Sequence, residues 1–591
     1  MGQEPGEYHV SHDAVPSGTD SAQENSAHLE APDRKEDQEK ATDTWIPTTD
    51  EEYVVTFKTW IVILSLSYGI SFWIVPTLSS VQSVIATELG DPSGSAFWIP
   101  IYTTGVTIAF MVCGANSDLF GRRWFIIGGN VLLFIGYIVM GSAKNNTAMI
   151  ASCAVIGFGA GNAQLAAFAL PELLPNKWRH IGVVLADLGI YFATIVGPIA
   201  GRYSVRHGGA WRWLAYGPAI AVAFSFAGLI AFYYPPKHPR GIPFKQALRE
   251  LDYLGAILFI ISITLILVGI IYTTVESSSS PRVIGTLVAG FVTLVVFGLW
   301  ETFASLKQPL TPTRVFTRNK GRDLTAPFIA GFVVTMFFNS VNIIWPTQIN
   351  VFYTNATSSF TKAIILTLPQ GLGLATGSVL LSVLGSRIGH WRWSMIGSFT
   401  LMVLFGGLLA MGNPDRKALM IACVFLCEVA YGWAQYLNIT YIQFGVDQVE
   451  LGISGGLAGV ARFGGASIAV AVYTTILVNT QSSSAASLIP PAVRAAGLPA
   501  SSVAAFESAL PLGAAALEKV PGITLAIIEA GGAAFQQSYV HGLRVMALSS
   551  IAFGVVGIIA CCFCVDIGPK MNAKIEVFLE NDKNADKNVY H

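Results

Sequence analysis

Asp187, Glu428 and Arg462 each fall inside a run of apolar residues. A charge at membrane depth is costly, so each is a candidate for pairing, gating or proton transfer. Asp187 and Glu428 are the two carboxylates able to take up and release a proton, since desolvation favours the protonated acid. A structural ion pair is the alternative reading for Asp187. Glu172 lies near the end of its own run. Uncharged polar groups are also embedded. Tyr431 and Gln435 follow Glu428 at i+3 and i+7, on one helix face. Asn339 and Asn342 share another face close to Trp345, and Asn162 and Gln164 lie on a third run. His180, His207, His238, His390 and His541 sit at run ends or in loops, which removes the usual ligands of a metal-dependent membrane enzyme. With no nucleophile–base constellation either, the expectation is no enzyme, no metal and no cofactor.

The elements that hold these residues follow from composition. Of 591 residues 53% are hydrophobic and 12% charged, about half the roughly 25% charge of soluble domains, which excludes an ordinary water-soluble protein. A net charge of −1 excludes the electrostatic footprint of a nucleic-acid binder. Seven cysteines are too few for a disulfide scaffold, and 58 glycines suit close helix contacts in lipid. Fourteen apolar runs, each long enough to cross ~30 Å of hydrocarbon as a helix, are expected at 56–80, 96–117, 124–142, 147–170, 180–201, 211–234, 252–274, 282–302, 324–348, 361–384, 392–412, 418–440, 453–478 and 543–565. Before them, twelve acidic residues stand against Arg34, Lys35 and Lys40 in residues 1–50, so 1–52 reads as a disordered acidic tail and not as a cleavable signal peptide. The rest divides into a six-helix lobe over 53–235, two additional helices with linkers over 236–322, a second six-helix lobe over 323–566 and a tail over 567–591. Within the second lobe, 479–541 reads as a long outer loop whose stretch Ser501 to Leu510 can form short amphipathic helices. Loop lysines and arginines, led by Arg122, Arg123, Lys177, Arg179 and the set from Lys307 to Arg322, predict both termini in the cytosol, with Arg202, Arg206 and Arg212 as the exception. The sequons at Asn145 and Asn355 then fall outside as glycosylation candidates.

Gly114-Ala115-Asn116-Ser117-Asp118-Leu119-Phe120-Gly121-Arg122-Arg123 joins the second and third runs. A tight basic loop with an acid four residues before the basic pair suits a hinge, in which Asp118 pairs with Arg122 or faces a neighbouring helix N-terminus. The segment resembles motif A of the major facilitator superfamily, with Leu119 in place of a basic residue. Ala193 to Arg202 holds Gly197, Pro198 and Gly201 and resembles the kink motif of proton-coupled antiporters, which is associated with export. Gly157-Phe158-Gly159-Ala160 fits the end of the motif that carries the antiporters' intramembrane arginine, but Cys153 stands at the arginine position. Trp211-Arg212-Trp213 and the block from Gly157 to Arg240 are most similar to the fungal trichothecene-efflux and siderophore-transporter branch of the 14-helix drug:proton antiporters. A faint second motif A reads Ser386 to Arg392, keeping Gly389 but with Ser386 in place of the acid.

The resemblance implies an all-α membrane protein of the major facilitator fold: fourteen transmembrane helices in two six-helix lobes plus two extra central helices. It makes Gly114, Asp118, Gly121, Arg122 and Arg123 a gate latch. Arg462, in a segment similar to one in 14-helix antiporters, is grouped with the gating set in a structural or gating role, since Asp118 needs a cationic or dipolar partner. The fourth, ninth and twelfth helices would line a central cavity through Asn162, Gln164, Asn339, Asn342, Trp345, Tyr431 and Gln435. That lining suits a large, neutral, partly polar molecule; for any single residue an interhelical hydrogen bond of ~0.6 kcal/mol is the alternative. The expected function is proton-coupled efflux of an amphiphilic small molecule by a monomer in the plasma membrane, or in a vacuolar or vesicular one. It draws on the proton gradient, with the lipid bilayer and the substrate as its partners. Siderophore-iron import and a non-transporting sensor are the alternatives.

Overall fold

In hydrocarbon a helix satisfies every backbone N–H and C=O within one segment, and the apolar runs fold accordingly. The computed structural model describes residues 67–206, 208–235, 243–273, 276–277, 279–354, 360–447, 450–510 and 514–575. The acidic stretch 1–52, the start of the first run, Asn355 and residues 576–591 lie outside the described residues. Among the described residues thirteen helices are long and apolar enough to span a bilayer, and a broken pair, taken as one span, makes a fourteenth. That pair is α1, Gly69–Ser79 and Gln82–Glu88, bent by 75°. There follow α2 (Trp98–Phe120), α3 (Arg122–Ser142), α4 (Asn146–Ala163, continued by Ala166–Glu172), α5 (Arg179–Ala186, continued by Leu188–Ser204) and α6 (Trp213–Phe232). The middle pair is α7 (Tyr253–Tyr272) and α8 (Pro281–Phe303). The rest are α9 (Thr325–Gln348), α10 (Phe360–Ile388), α11 (Trp391–Leu408), α12 (Lys417–Gln443), α13 (Leu451–Ala495) and α14 (Leu525–Phe563).

Packing sorts these helices into two sets. In the first, α2 and α3 both lie on α4, α6 lies on α3, and α1 lies on α5. In the second, α10 and α11 lie on α12, while α9, α13 and α14 pack on one another. Two seams join the sets: α2 against α13, and α5 against α10. The α7–α8 pair flanks the first seam, with α7 touching both α2 and α13. Exposed Val288, Phe291, Val292 and Val295 on α8 have no water-soluble rationale and face lipid.

The expected loop over 479–541 is mostly helix. α13 runs 45 residues, about 67 Å at 1.5 Å per residue, so it projects well beyond a hydrocarbon core. α14 begins at Leu525, and Val503–Ala509 is helical inside the expected amphipathic stretch. Hydropathy ended the span near 478 because the following residues are polar, yet a separate small core of Ile489, Val493, Val503, Phe506 and Ile527 holds the extension in place. Tertiary burial, not apolar length, stabilises this part.

Candidate functional site

α5 breaks at Asp187, between Ala186 and Leu188. Its carboxylate lies at the centre of the bundle, 1% exposed. Arg462 reaches it from α13: Nη1 donates to Asp187 Oδ2 at 3.1 Å and to the Tyr68 hydroxyl at 2.8 Å. The Tyr68 and Tyr436 hydroxyls adjoin the carboxylate, and Tyr191 packs edge-on against Tyr436 at 5.9 Å. The ion pair therefore bridges the two helix sets and is ringed by tyrosines. A buried pair of this kind persists only with good geometry, and removing one partner leaves an uncompensated charge. Asp187 and Arg462 open onto a small recess also lined by Tyr68, Phe110, Phe168 and Ile439.

The second acid is held differently. Glu428 on α12 is fully buried. Gln370 of α10 donates from Nε2 to Asn342 Oδ1 at 2.7 Å and lies 3.5 Å from Glu428 Oε1, while Glu428 Oε2 has no hydrogen-bond partner among the described residues. No basic side chain pairs with Glu428 among the described ion pairs.

The latch assembles at the end of the bundle where α2 meets α3. Gly121, at φ +81°, makes the turn, a conformation open to glycine at little cost. Both Asp118 carboxylate oxygens accept from the N-terminus of α13: Gly452 N at 2.8 and 3.0 Å, Ile453 N at 3.2 Å. That end of a helix carries unsatisfied N–H groups and a positive dipole, so it favours an anion. Arg122 pairs with Asp118 at 3.2 Å and also with Glu172 of α4. Arg123 donates to the Ile230 carbonyl and lies over the Tyr234 ring. At Gly114 a Cβ would come within 2.6 Å of Gly456 Cα, so only hydrogen lets α2 and α13 approach this closely.

Arg462 pairs with Asp187, and Asp118 is met from α13 by the helix N-terminus. Asp118 finds its dipolar partner in Gly452 and Ile453, at the start of α13. Arg462 lies ten residues further along α13, nearly three helical turns away, and belongs with Asp187. The kink motif packs α5 on α1: a Cβ at Gly197 would meet Pro76 at 3.1 Å, and one at Gly201 the Ser80 hydroxyl at 2.5 Å.

None of the seven expected cavity residues lines the recess. Gln164 donates to Ser71 Oγ at 2.9 Å and Trp345 to the Leu366 carbonyl at 2.7 Å, both between helices. Asn162 and Asn339 bond back to Phe158 and Thr335 on their own helices. Tyr431 stacks on Phe338 at 4.7 Å, Asn342 accepts from Gln370, and Gln435 Oε1 is buried without a partner among the described residues. Five of the seven thus spend polarity on hydrogen bonds within or between helices. Asn145 is exposed and caps α4, accepting from Ala148 N. Sequence reasoning missed Tyr68, Gln370 and Tyr436. Gln370 carried the same signal as Asn342, a lone amide in an apolar run, whereas a tyrosine in such a run has no signature until its hydroxyl's neighbours are known.

Residues 23–591 match the family described as fungal trichothecene efflux pump (TRI12). The chain is 44% identical over 525 residues to the MFS-type transporter prx5 of Penicillium rubens, covering 88% of this chain and 94% of that one. It is 25% identical to the trichothecene efflux pump TRI12 of Fusarium sporotrichioides, covering 89% and 88% of the two chains. The proton:xylose symporter XylE bound to 6-bromo-6-deoxy-D-glucose superposes over 84% of this chain and 94% of its own, with a TM-score of 0.49 at 15% identity. The efflux names among these relatives do not favour the siderophore-import alternative.

Proposed function

The chain belongs to the fungal trichothecene efflux pump family, multi-pass membrane transporters of the major facilitator type and not enzymes, and on that premise we propose that it exports an amphiphilic small molecule in exchange for protons. The observation that carries the reading is the buried Asp187–Arg462 ion pair between the two helix sets. Protonation of Asp187 cancels the attraction that ties α5 to α13, so proton uptake and separation of the sets become one event. Tyr68 offers Arg462 a second acceptor when the carboxylate is neutral. Glu428, without a cation, is the second proton site, in a half that also carries Asn342, Gln370 and Gln435 as polar contacts for cargo. The relatives named as trichothecene pumps make a trichothecene the first compound to test. The basic loops around Arg122 and Arg123 support a latch on the cytosolic side.

The test is accumulation of trichothecenes and other fungal metabolites in cells with and without the protein, at two external pH values. Export is expected to rise in acidic medium, and Asp187→Asn and Glu428→Gln should each abolish uphill export from vesicles carrying a pH gradient. Undiminished export in both variants would defeat the proton assignment.

A further inference from the structure

We infer that the segment after α14, residues 566–575, is a strap that ties the two helix sets together at the latch end and must detach for the protein to open there. The segment leaves α14 beside α11, where Gly568 lies near the Trp391 ring. Lys570 then donates to the Phe444 carbonyl at the end of α12, at 2.5 Å. So far it stays on the set formed by α9–α14. It next crosses to the other set and pairs with the α4–α5 connection: Asn176 N donates to the Lys574 carbonyl at 2.9 Å and Lys177 N to the Asn572 carbonyl at 2.7 Å. Side chains repeat the pairing, Asn176 Nδ2 to Asn572 Oδ1 at 3.2 Å. Ile567 and Ile575 are buried at its two ends.

Three features make this more than a loose tail. Two backbone N–H groups of a loop some four hundred positions earlier donate to the strap's carbonyls, contacts that a solvated tail has no reason to make. The bonded residues Asn176 and Lys177 immediately precede α5, the helix that carries Asp187, so a pull on the strap acts on the element that holds the central carboxylate. The strap also lies at the end where Asp118 clamps α13. Opening that end requires α2 to leave α13, and it moves the α4–α5 connection away from α12 and α14. The strap's two anchors, Phe444 and Asn176–Lys177, then part. It therefore adds to the Asp118 clamp in holding the protein closed at this end, and anything that binds the strap in its released form favours opening.

The test uses the purified full chain with Cys562→Ser, which removes the exposed thiol, and an Ala458→Cys reporter facing the recess from α13. Ending the chain after Ile567 is expected to raise the rate of maleimide labelling at the reporter roughly tenfold, the effect of losing one or two net hydrogen bonds. Because that truncation can impair folding, the second arm adds Asn176→Cys with Asn572→Cys. Oxidation should cross-link this pair and slow reporter labelling below that of the reduced form, with recovery on reduction. Unchanged labelling in both arms, or no cross-link, would overturn the strap. Neither readout depends on protons or on the identity of the cargo.

Discussion

The α2–α3 hinge and the α10–α11 hinge both turn on a glycine and differ in charge. Each turns on a left-handed glycine, Gly121 at φ +81° and Gly389 at φ +64°. Each also brings a side chain from the end of one helix to the start of a helix in the other set. At the first hinge that side chain is Asp118, which takes three backbone N–H contacts from α13 and pairs with Arg122. At the second it is Ser386, whose hydroxyl meets His180 Nε2 at the start of α5, at 3.3 Å, with Trp391 edge-on to the imidazole at 5.0 Å. One hinge is thus locked by a carboxylate on a helix dipole, and its counterpart by a neutral hydrogen bond. The strap bonds at Asn176 and Lys177, a few residues before His180, and so reinforces the seam that lacks the acid. The asymmetry between the two hinges lies in side-chain charge and in the connector, one residue at Gly121 against two at Gly389 and His390.

The largest expected effect comes from Asp118→Ala. It removes the anion from the α13 N-terminus and leaves Arg122 with Glu172 alone, so the loss should be about 3–5 kcal/mol, read as a lower unfolding temperature in detergent. Ser386→Ala should cost about 1 kcal/mol or less; equal losses at the two sites would erase the difference between the hinges. Gly114→Leu forces side-chain atoms into Gly456 and should cost about 1–3 kcal/mol while stopping transport, measured as lost export with the chain still in the membrane. Ser386→Asp should make the second hinge resemble the first, with the new carboxylate at the α5 N-terminus worth about 0.3–1 kcal/mol. Slower export with a raised unfolding temperature would sharpen the comparison.

The fourteen spans were legible because hydrocarbon tolerates little else: length and apolarity suffice to mark a helix that crosses it. Asp118 was legible as an acid in need of a dipole, and the basic pair beside it as part of a hinge. Arg462 shows the limit. Its segment advertised a cation but not its partner, and Asp187, 275 positions earlier, shares no local pattern with it. The polar continuation of α13 past residue 478 was hidden for a different reason. Its apolar residues Ile489 and Val493 are sparse, and they make sense only beside Phe506 and Ile527.

Composition and motif alone determined that this chain is a bundle of membrane helices with a charged hinge after the second span and acids buried in the fifth and twelfth. Those properties follow from local free energies of transfer and from backbone geometry, which each segment carries by itself. The tertiary structure decided which acid meets a cation, which hinge carries the clamp and where the C-terminal segment ties down. Each of those is a contact between residues hundreds of positions apart, and its energy exists only once the helices have packed.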